Sequence, residues 1–371
     1  MNDLIPQLVS DGQILAEVNG CLGLITLNRP QALNALSLPM IRDLTTLLRH
    51  WSTRPEIQAV ALLGAAREGK PPAFCAGGDI RFFHQAALAG DPALGDFFTE
   101  EYRLNHLIHA YPKPCIALMD GIVMGGGMGL SQGAKLRVLS ERSQLAMPET
   151  GIGLFPDVGG GFFLAQCPGH VGEWLALTGE SISAGDAIEW GLGDVFVRAE
   201  QWPALIDDLR HGSQPSAEHV VASVMERVDL APAPDPKAIG ARIDRHFGLP
   251  TVAAILASLA GADDEWAQRT HESLLKRSPT MLAVALELVR RGRTLTLADD
   301  LRLERGLVHH AFHLRGAAQS ETVEGIRALV IDKDHAPRWQ PASMADIDAA
   351  HVAAFFVSPW AQDQHPLRDL T

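Results

Sequence analysis

Gly121-Ile122-Val123-Met124-Gly125-Gly126-Gly127-Met128-Gly129 follows the apolar run Cys115–Met119 and leads into Leu130-Ser131-Gln132-Gly133. A strand that ends in clustered glycines and re-enters as a helix leaves main-chain N–H groups uncovered at the helix start, where they grip a negatively charged oxygen. The stretch therefore predicts an α/β chain with a backbone anion site of the kind that holds an oxyanion in acyl transfer. A second glycine site, Ala76-Gly77-Gly78-Asp79, and the acids of Pro148-Glu149 and Pro156-Asp157 supply the other groups such chemistry uses.

Outward from this stretch, strand and helix patterns alternate through the first 200 residues, which reads as α/β. Residues 14–18 and Leu22–Leu27 flank Asn19-Gly20, a dipeptide that favours a tight hairpin. Met40, Leu44, Leu47, Leu48 and Trp51 recur at helical spacing, and residues 60–63, Leu136–Leu139 and 194–197 read as further strands. Beyond about residue 200 the strand signal fades. Ser278-Pro279-Thr280 is a helix entry, residues 281–289 give the apolar content, Arg290-Arg291 lie in the last turn, and Gly292 is the stop. The expected division is a core at 1–200 and a helical region at 201–371, with the Pro- and Ala-rich patch 231–236 as a joint.

A chain of 371 residues with 47% hydrophobic and 20% charged residues has material for a large buried core. Its apolar runs are too short to predict a membrane span. The formal net charge of −13 argues against a general nucleic-acid partner, because phosphate neutralisation needs a basic surface. Cys21, Cys75, Cys115 and Cys167 form no C-x-x-C pair, so the expectation is a reducing compartment with neither a disulfide framework nor a zinc knuckle. The first 28 residues hold no Lys or Arg, against a basic signal peptide or an Arg-rich presequence, so the expected compartment is the cytoplasm.

Several motifs compete for the chemistry. The glycine cluster fails the dinucleotide fingerprint, since Gly125 and Gly127 are followed by Leu130, and Gly127 and Gly129 by Gln132. Gly129-Leu130-Ser131-Gln132-Gly133 spells a nucleophile elbow, but the glycines before it already make the turn, which puts Ser131 inside a helix. His309 and His313 are spaced for a metal-binding face, yet no Glu or Cys nearby completes a site, and a solvated helix face is expected. Glu149 and Asp157 each follow a proline and lie among Ile152, Leu154, Phe155 and Val158, whose apolar bulk should raise carboxylate pKa values by desolvation. The competing reading is two turn acids that cap helices. Glu101 shares a helical face with Phe97, Leu104 and Ile108, so it is either functional or ion-paired.

Leu27-Asn28-Arg29-Pro30 with Ala32-Leu33-Asn34-Ala35-Leu36, Phe74-Cys75-Ala76-Gly77-Gly78-Asp79-Ile80, the Gly125 cluster and Pro148-Glu149, in that order, resemble the crotonase (enoyl-CoA hydratase/isomerase) superfamily. The resemblance implies a spiral of ββα turns that binds acyl-CoA, with the thioester oxygen held by the N–H groups of Gly78 and Gly126. It also implies substrate contacts at Ala32, Ala76, Asp79, Ile80, Glu101, Gly126, Glu149 and Asp157. Residues 147–161 and 321–334 sharpen the likeness toward the branch that hydrolyses 3-hydroxyisobutyryl-CoA in valine breakdown. Gly129 stands where a hydratase of this kind carries a Glu, and Asp157 where it carries a glycine, which implies thioester hydrolysis instead of hydration. On that reading Glu149 attacks the carbonyl or activates water, while Asp157 and Glu101 position the substrate, its 3-hydroxyl being one partner. No cofactor is implied beyond the CoA that the substrate carries, and no nucleic acid or membrane partner. Relatives of this type assemble through C-terminal helices; here the longer region leaves a homo-oligomer open. The rivals are a hydratase or isomerase with Glu149 as its only base, and a non-catalytic binding protein on the same scaffold.

Overall fold

The Asn19-Gly20 turn joins β1 (Ile14–Asn19) to β2 (Leu22–Leu27) in an antiparallel hairpin, with Asn19 opposite Leu22. From β2 onward the pairing is parallel, through β3 (Ala59–Gly64), β5 (Cys115–Met119), β7 (Leu136–Leu139) and β9 (Val195–Phe196), in the spatial order β1-β2-β3-β5-β7-β9. All six residues of β2 are buried, the continuous apolar pattern of a strand covered on both faces. A second sheet has the order β4-β6-β8, from Ala73–Cys75, Ile122–Met124 and Gln144–Ala146. Parallel neighbours need crossovers, and the expected helix at Met40 to Trp51 supplies one between β2 and β3 as Leu38–Ser52.

The computed structural model describes residues 4–234 and 240–371, so positions 235 and 236 of the Pro- and Ala-rich patch lie outside the described residues. The chain forms two compact units that interleave along the sequence. The first takes Met1–Gly78, Arg103–Leu145 and Ser181–Asp235 and contains the six-stranded sheet. Helices Trp202–His211 and Ala217–Met225 belong to this unit, because Trp202, Leu205, Leu209, Val220 and Val224 pack with Leu22, Leu24, Ala61 and Leu118 of the strands.

The second unit takes Asp79–Tyr102, Ala146–Glu180 and Pro236–Thr371. Its aromatic core chains Phe83 to Phe97 and Phe98 at 4.8 Å between ring centroids, and Phe98 on to Tyr102 and Phe312. Helix Pro279–Gly292 forms as read, with the Ser278 hydroxyl accepting from Met281 N–H at 3.0 Å. After β9 every named element among the described residues is helical, so the chain is α/β with a helical C-terminal part, as expected.

Candidate functional site

In the first unit the glycine loops adjoin. Gly125, at φ 48, caps helix Gly126–Gln132, so the Gly126 N–H stands at the first helical position, where no intrahelical acceptor exists. A Cβ on Gly77 would lie 3.3 Å from the Met124 carbonyl oxygen and 3.6 Å from the Gly126 nitrogen, and one on Gly127 would lie 2.3 Å from the Cys75 carbonyl oxygen. Only glycine lets β4 and the helix approach this closely. Leu36 N–H donates to the Gly77 carbonyl at 2.8 Å, and Ala76 N–H to that of Leu33 at 3.0 Å. The buried Asn34 amide donates to the carbonyls of Ala65 at 3.0 Å and Ala73 at 2.8 Å, which anchors the loop carrying half-buried Ala32. Ala32, Ala76, Gly78 and Gly126 are thereby set on loops that touch.

Other sequence candidates have visible structural duties. Asp79 caps helix Ile80–Ala89, accepting from Arg81 N–H at 3.2 Å and Phe82 N–H at 3.3 Å, and Ile80 is the first residue of that helix. Arg29, in the Asn28-Arg29-Pro30 motif, donates to the Ala35 carbonyl at 3.1 Å. Ser131 lies within its helix, fully buried, donating to the Met128 carbonyl at 3.1 Å, as its position after the glycines requires. The His309 face is solvated at His313, which is exposed, and partly covered at His309, whose ring is half-buried 4.7 Å from that of His313 and 5.1 Å from that of Trp360, between centroids. Sequence spacing could not show this cover, because Trp360 comes from the distant C-terminal segment. Among the described residues no cluster could hold a metal ion.

The second unit gathers the acids. Glu149 opens a 3₁₀ turn after Pro148, and Ser278 N–H donates to the Thr150 carbonyl at 3.1 Å, tying that turn to the entry of helix Pro279–Gly292. The Glu149 side chain is buried, and its Oε2 has no hydrogen-bond partner. Burial raises its pKa well above the carboxylate range and the charge of Asp157 adds to this, while its main-chain hydrogen bond and Arg277 oppose it. Asp157 is buried as well, and its Oδ2 accepts the Tyr102 hydroxyl at 2.7 Å. Burial pushes its pKa up to about 6 against the pull of that bond. Glu101 lies buried on the face shared with Phe97, Leu104 and Ile108, and its Oε1 has no partner. Desolvation raises its pKa, helped by Asp157 and Glu149. The helix-cap reading fails for Glu149 and Asp157, since neither side chain caps a helix.

Such a cluster has carboxyl pKa values raised by burial and by mutual repulsion and presents an unpartnered carboxylate oxygen in an apolar wall, the requirements of a base or nucleophile. Sequence reading missed Tyr102, Arg277 and Glu304. Tyr102 adjoins Glu101 but falls off the spacing that found it. Arg277 looked like the residue before a helix cap, whereas its guanidinium donates to the Thr178 carbonyl and would lie 2.5 Å from a Cβ on Gly151, in the turn that Glu149 opens.

The enoyl-CoA hydratase/isomerase family profile matches residues 22–356. The rat mitochondrial 3-hydroxyisobutyryl-CoA hydrolase is 40% identical over 361 residues, covering 95% of this chain and 90% of the relative. The human mitochondrial enzyme of the same name is 38% identical over 362 residues, with the same coverage. A carnitinyl-CoA dehydratase from Mycobacterium thermoresistibile superposes with TM-score 0.84 at 35% identity, over 96% of this chain and 99% of that one. An enoyl-CoA hydratase from Rhodobacter sphaeroides gives TM-score 0.83 at 39% identity, over 94% and 98%.

Proposed function

The chain belongs to the enoyl-CoA hydratase/isomerase family, and from that premise we propose that it hydrolyses a short 3-hydroxyacyl-CoA thioester, 3-hydroxyisobutyryl-CoA, to 3-hydroxyisobutyrate and CoA. The observation that carries this reading is the pair of buried acids, Glu149 with an unpartnered oxygen and Asp157 held by Tyr102. Gly129 supports it from the first unit. Buried inside helix Gly126–Gln132, it offers no carboxylate for the second proton step of a hydration.

Gly78 and Gly126 donate N–H groups to the thioester oxygen, each worth roughly 3 to 4 kcal/mol as negative charge develops there. Glu149 forms a C–O bond to the carbonyl carbon, or draws a proton from the water that does. The C–S bond then breaks, and CoA leaves as a thiolate whose low pKa, near 8.5 for a simple thiol, needs no strong acid. In the first route water cleaves the resulting anhydride and regenerates the carboxylate. Label found in Glu149 after a single turnover in H₂¹⁸O would mark the anhydride route, with water attacking the glutamyl carbonyl of the anhydride. Asp157 and Glu101 bind the 3-hydroxyl, and Ala32, Ala76, Asp79 and Ile80 line the approach of CoA. All these groups fall within residues 1–200; residues 201–371 supply supporting helices.

Free-thiol release from 3-hydroxyisobutyryl-CoA, measured beside loss of crotonyl-CoA absorbance, tests the proposal. Thiol release alone supports it. Absorbance loss alone would favour a hydratase using Glu149 as its only base, the reading favoured by the names of the two solved neighbours. Silence in both with retained RNA binding would favour a binding protein, which the charge of −13 opposes. The reaction places the protein in valine breakdown and needs no cofactor beyond the CoA of its substrate. Four free buried cysteines suit a reducing compartment. We assign the cytoplasm, although the curated relatives are named mitochondrial; fractionation of the source cells decides. No helix among the described residues is long and apolar enough to cross a membrane. A homo-oligomer stays an open assembly, to be read by light scattering.

A further inference from the structure

Helix Leu297–His313 sends two carboxylates, one turn apart, under the segment that follows Asp157. Glu304 Oε2 accepts the Gly159 N–H at 2.8 Å and its Oε1 accepts the Gly161 N–H at 3.0 Å. Asp300 Oδ2 accepts the Phe162 N–H at 2.8 Å. Both acids are fully buried. The segment they hold is strained: Val158, a β-branched residue, has φ 57, and Gly159 has φ 90. A left-handed Val persists only where its surroundings over-determine it. Gly160 N–H closes the turn on the Asp157 carbonyl at 2.8 Å. The φ of Gly159 disfavours any side chain there, and an added Cβ would also lie 2.8 Å from Leu297 Cδ1. Asp157 is thus fixed at two points, its side chain by the Tyr102 hydroxyl and the backbone just beyond it by Glu304.

We propose that Glu304 is a positioning residue for Asp157: by receiving two N–H groups of the strained turn it keeps the Asp157 carboxylate on the Tyr102 hydroxyl and oriented toward the substrate. This rests on the hydrolase reading above for its kinetic consequence, though not for its structural one. A glutamate suits the task because its two oxygens accept both amides at once. A glutamine has one acceptor oxygen, and its NH₂ would face the second amide donor to donor.

The test uses the full-length protein with E304Q and E304D. For E304Q, kcat on 3-hydroxyisobutyryl-CoA should fall roughly 10- to 100-fold, with KM changed less than about threefold, as expected when a group that orients the acyl end for reaction is displaced and the CoA contacts survive. E304D keeps two acceptors on a shorter stem and should recover part of the loss. Hydrogen exchange should quicken at Gly159 and Gly161 in E304Q and stay unchanged in helix Pro279–Gly292. Wild-type kcat and pH profile in a folded E304Q of lowered melting temperature would overturn the proposal and leave Glu304 a purely structural acid. If the wild-type protein releases no thiol, the hydrolase reading fails separately. The positioning claim is then judged on a crystal structure of E304Q, where an intact Asp157–Tyr102 hydrogen bond overturns it and a broken one supports it.

Discussion

Two glutamates lie buried in the second unit under very different conditions. Glu173, on helix Val171–Thr178, is 1% exposed, with Arg293 at 2.6 Å, His170 at 3.1 Å and Arg290 at 3.9 Å from the same oxygen. Glu149 is 7% exposed, and its Oε2 has no partner at all. Burial alone therefore does not mark a working acid. A buried charge must be compensated. Where the fold supplies arginines, the acid is bound into structure; where it leaves an oxygen open, burial raises the pKa and the ionised oxygen has no partner to hold it back from reacting.

Replacing Glu149 gives the largest effect. E149Q preserves shape and removes both nucleophile and base, so kcat should fall at least roughly 10³-fold while acyl-CoA binding persists. Retention of near-normal turnover would erase the distinction between the two glutamates. Stability should move the other way. Because burial raises the Glu149 pKa, the folded protein holds its proton more tightly than the unfolded chain does. That stabilising contribution is full below the ordinary carboxylate range and is lost as pH rises through the raised value. Glutamine does not titrate, so the melting temperature of E149Q relative to wild type should be higher at about pH 8 than at about pH 5.

D157N comes next, with turnover down roughly 10²-fold through lost substrate positioning. It also carries a signed pH test. The Asp157 charge raises the Glu149 pKa, so its removal should shift the acid limb of kcat/KM to lower pH. A limb that stays put or moves upward would show that another group controls the profile. E173Q is the converse case. It should cost about 2 kcal/mol in urea unfolding, between the values for exposed and for fully buried pairs, because the arginine heads retain water. Turnover per folded molecule should match wild type; a catalytic loss there would break the comparison from the other side.

How much of this was legible in the sequence varies with the range of the interaction. Short-range signals read well: Asn19-Gly20 gave the hairpin, Ser278-Pro279 the helix start, and the apolar neighbours of Glu149 and Asp157 the burial of both acids. Glu101 followed from helical spacing among apolar neighbours. Glu304 obeys the same spacing, with Leu297, Leu301 and Val308 on its face, and was equally readable as a buried acid. Its partner was not readable, because the amides of Gly159 and Gly161 lie far away in sequence and backbone donors carry no residue signature. The interleaved units escaped for a similar reason. Helices at 202–225 look like the start of a separate helical region, yet their apolar faces are spent on strands laid down much earlier. The pairing that separates Glu173 from Glu149 was likewise hidden, since Arg290 was read only as a last-turn charge and nothing in the local pattern singles out Arg293.

The smallest expected effect sharpens the comparison most finely, because it concerns a cation that influences Glu149 without neutralising it. Arg277 lowers the Glu149 pKa through its charge, against the larger effect of burial, and also donates to the Thr178 carbonyl. R277Q removes both contributions, whereas R277K keeps the charge and loses the guanidinium fork. If the charge matters, R277Q should raise the Glu149 pKa and move the acid limb of kcat/KM to higher pH, leaving the plateau at high pH near the wild-type value. R277K should leave the limb where it is. A shift shared by both variants would trace the effect to the lost carbonyl contact and a displaced 149–152 turn. Glu149 would then be set by backbone position alone, without the distant cation that makes it a weak counterpart of Glu173.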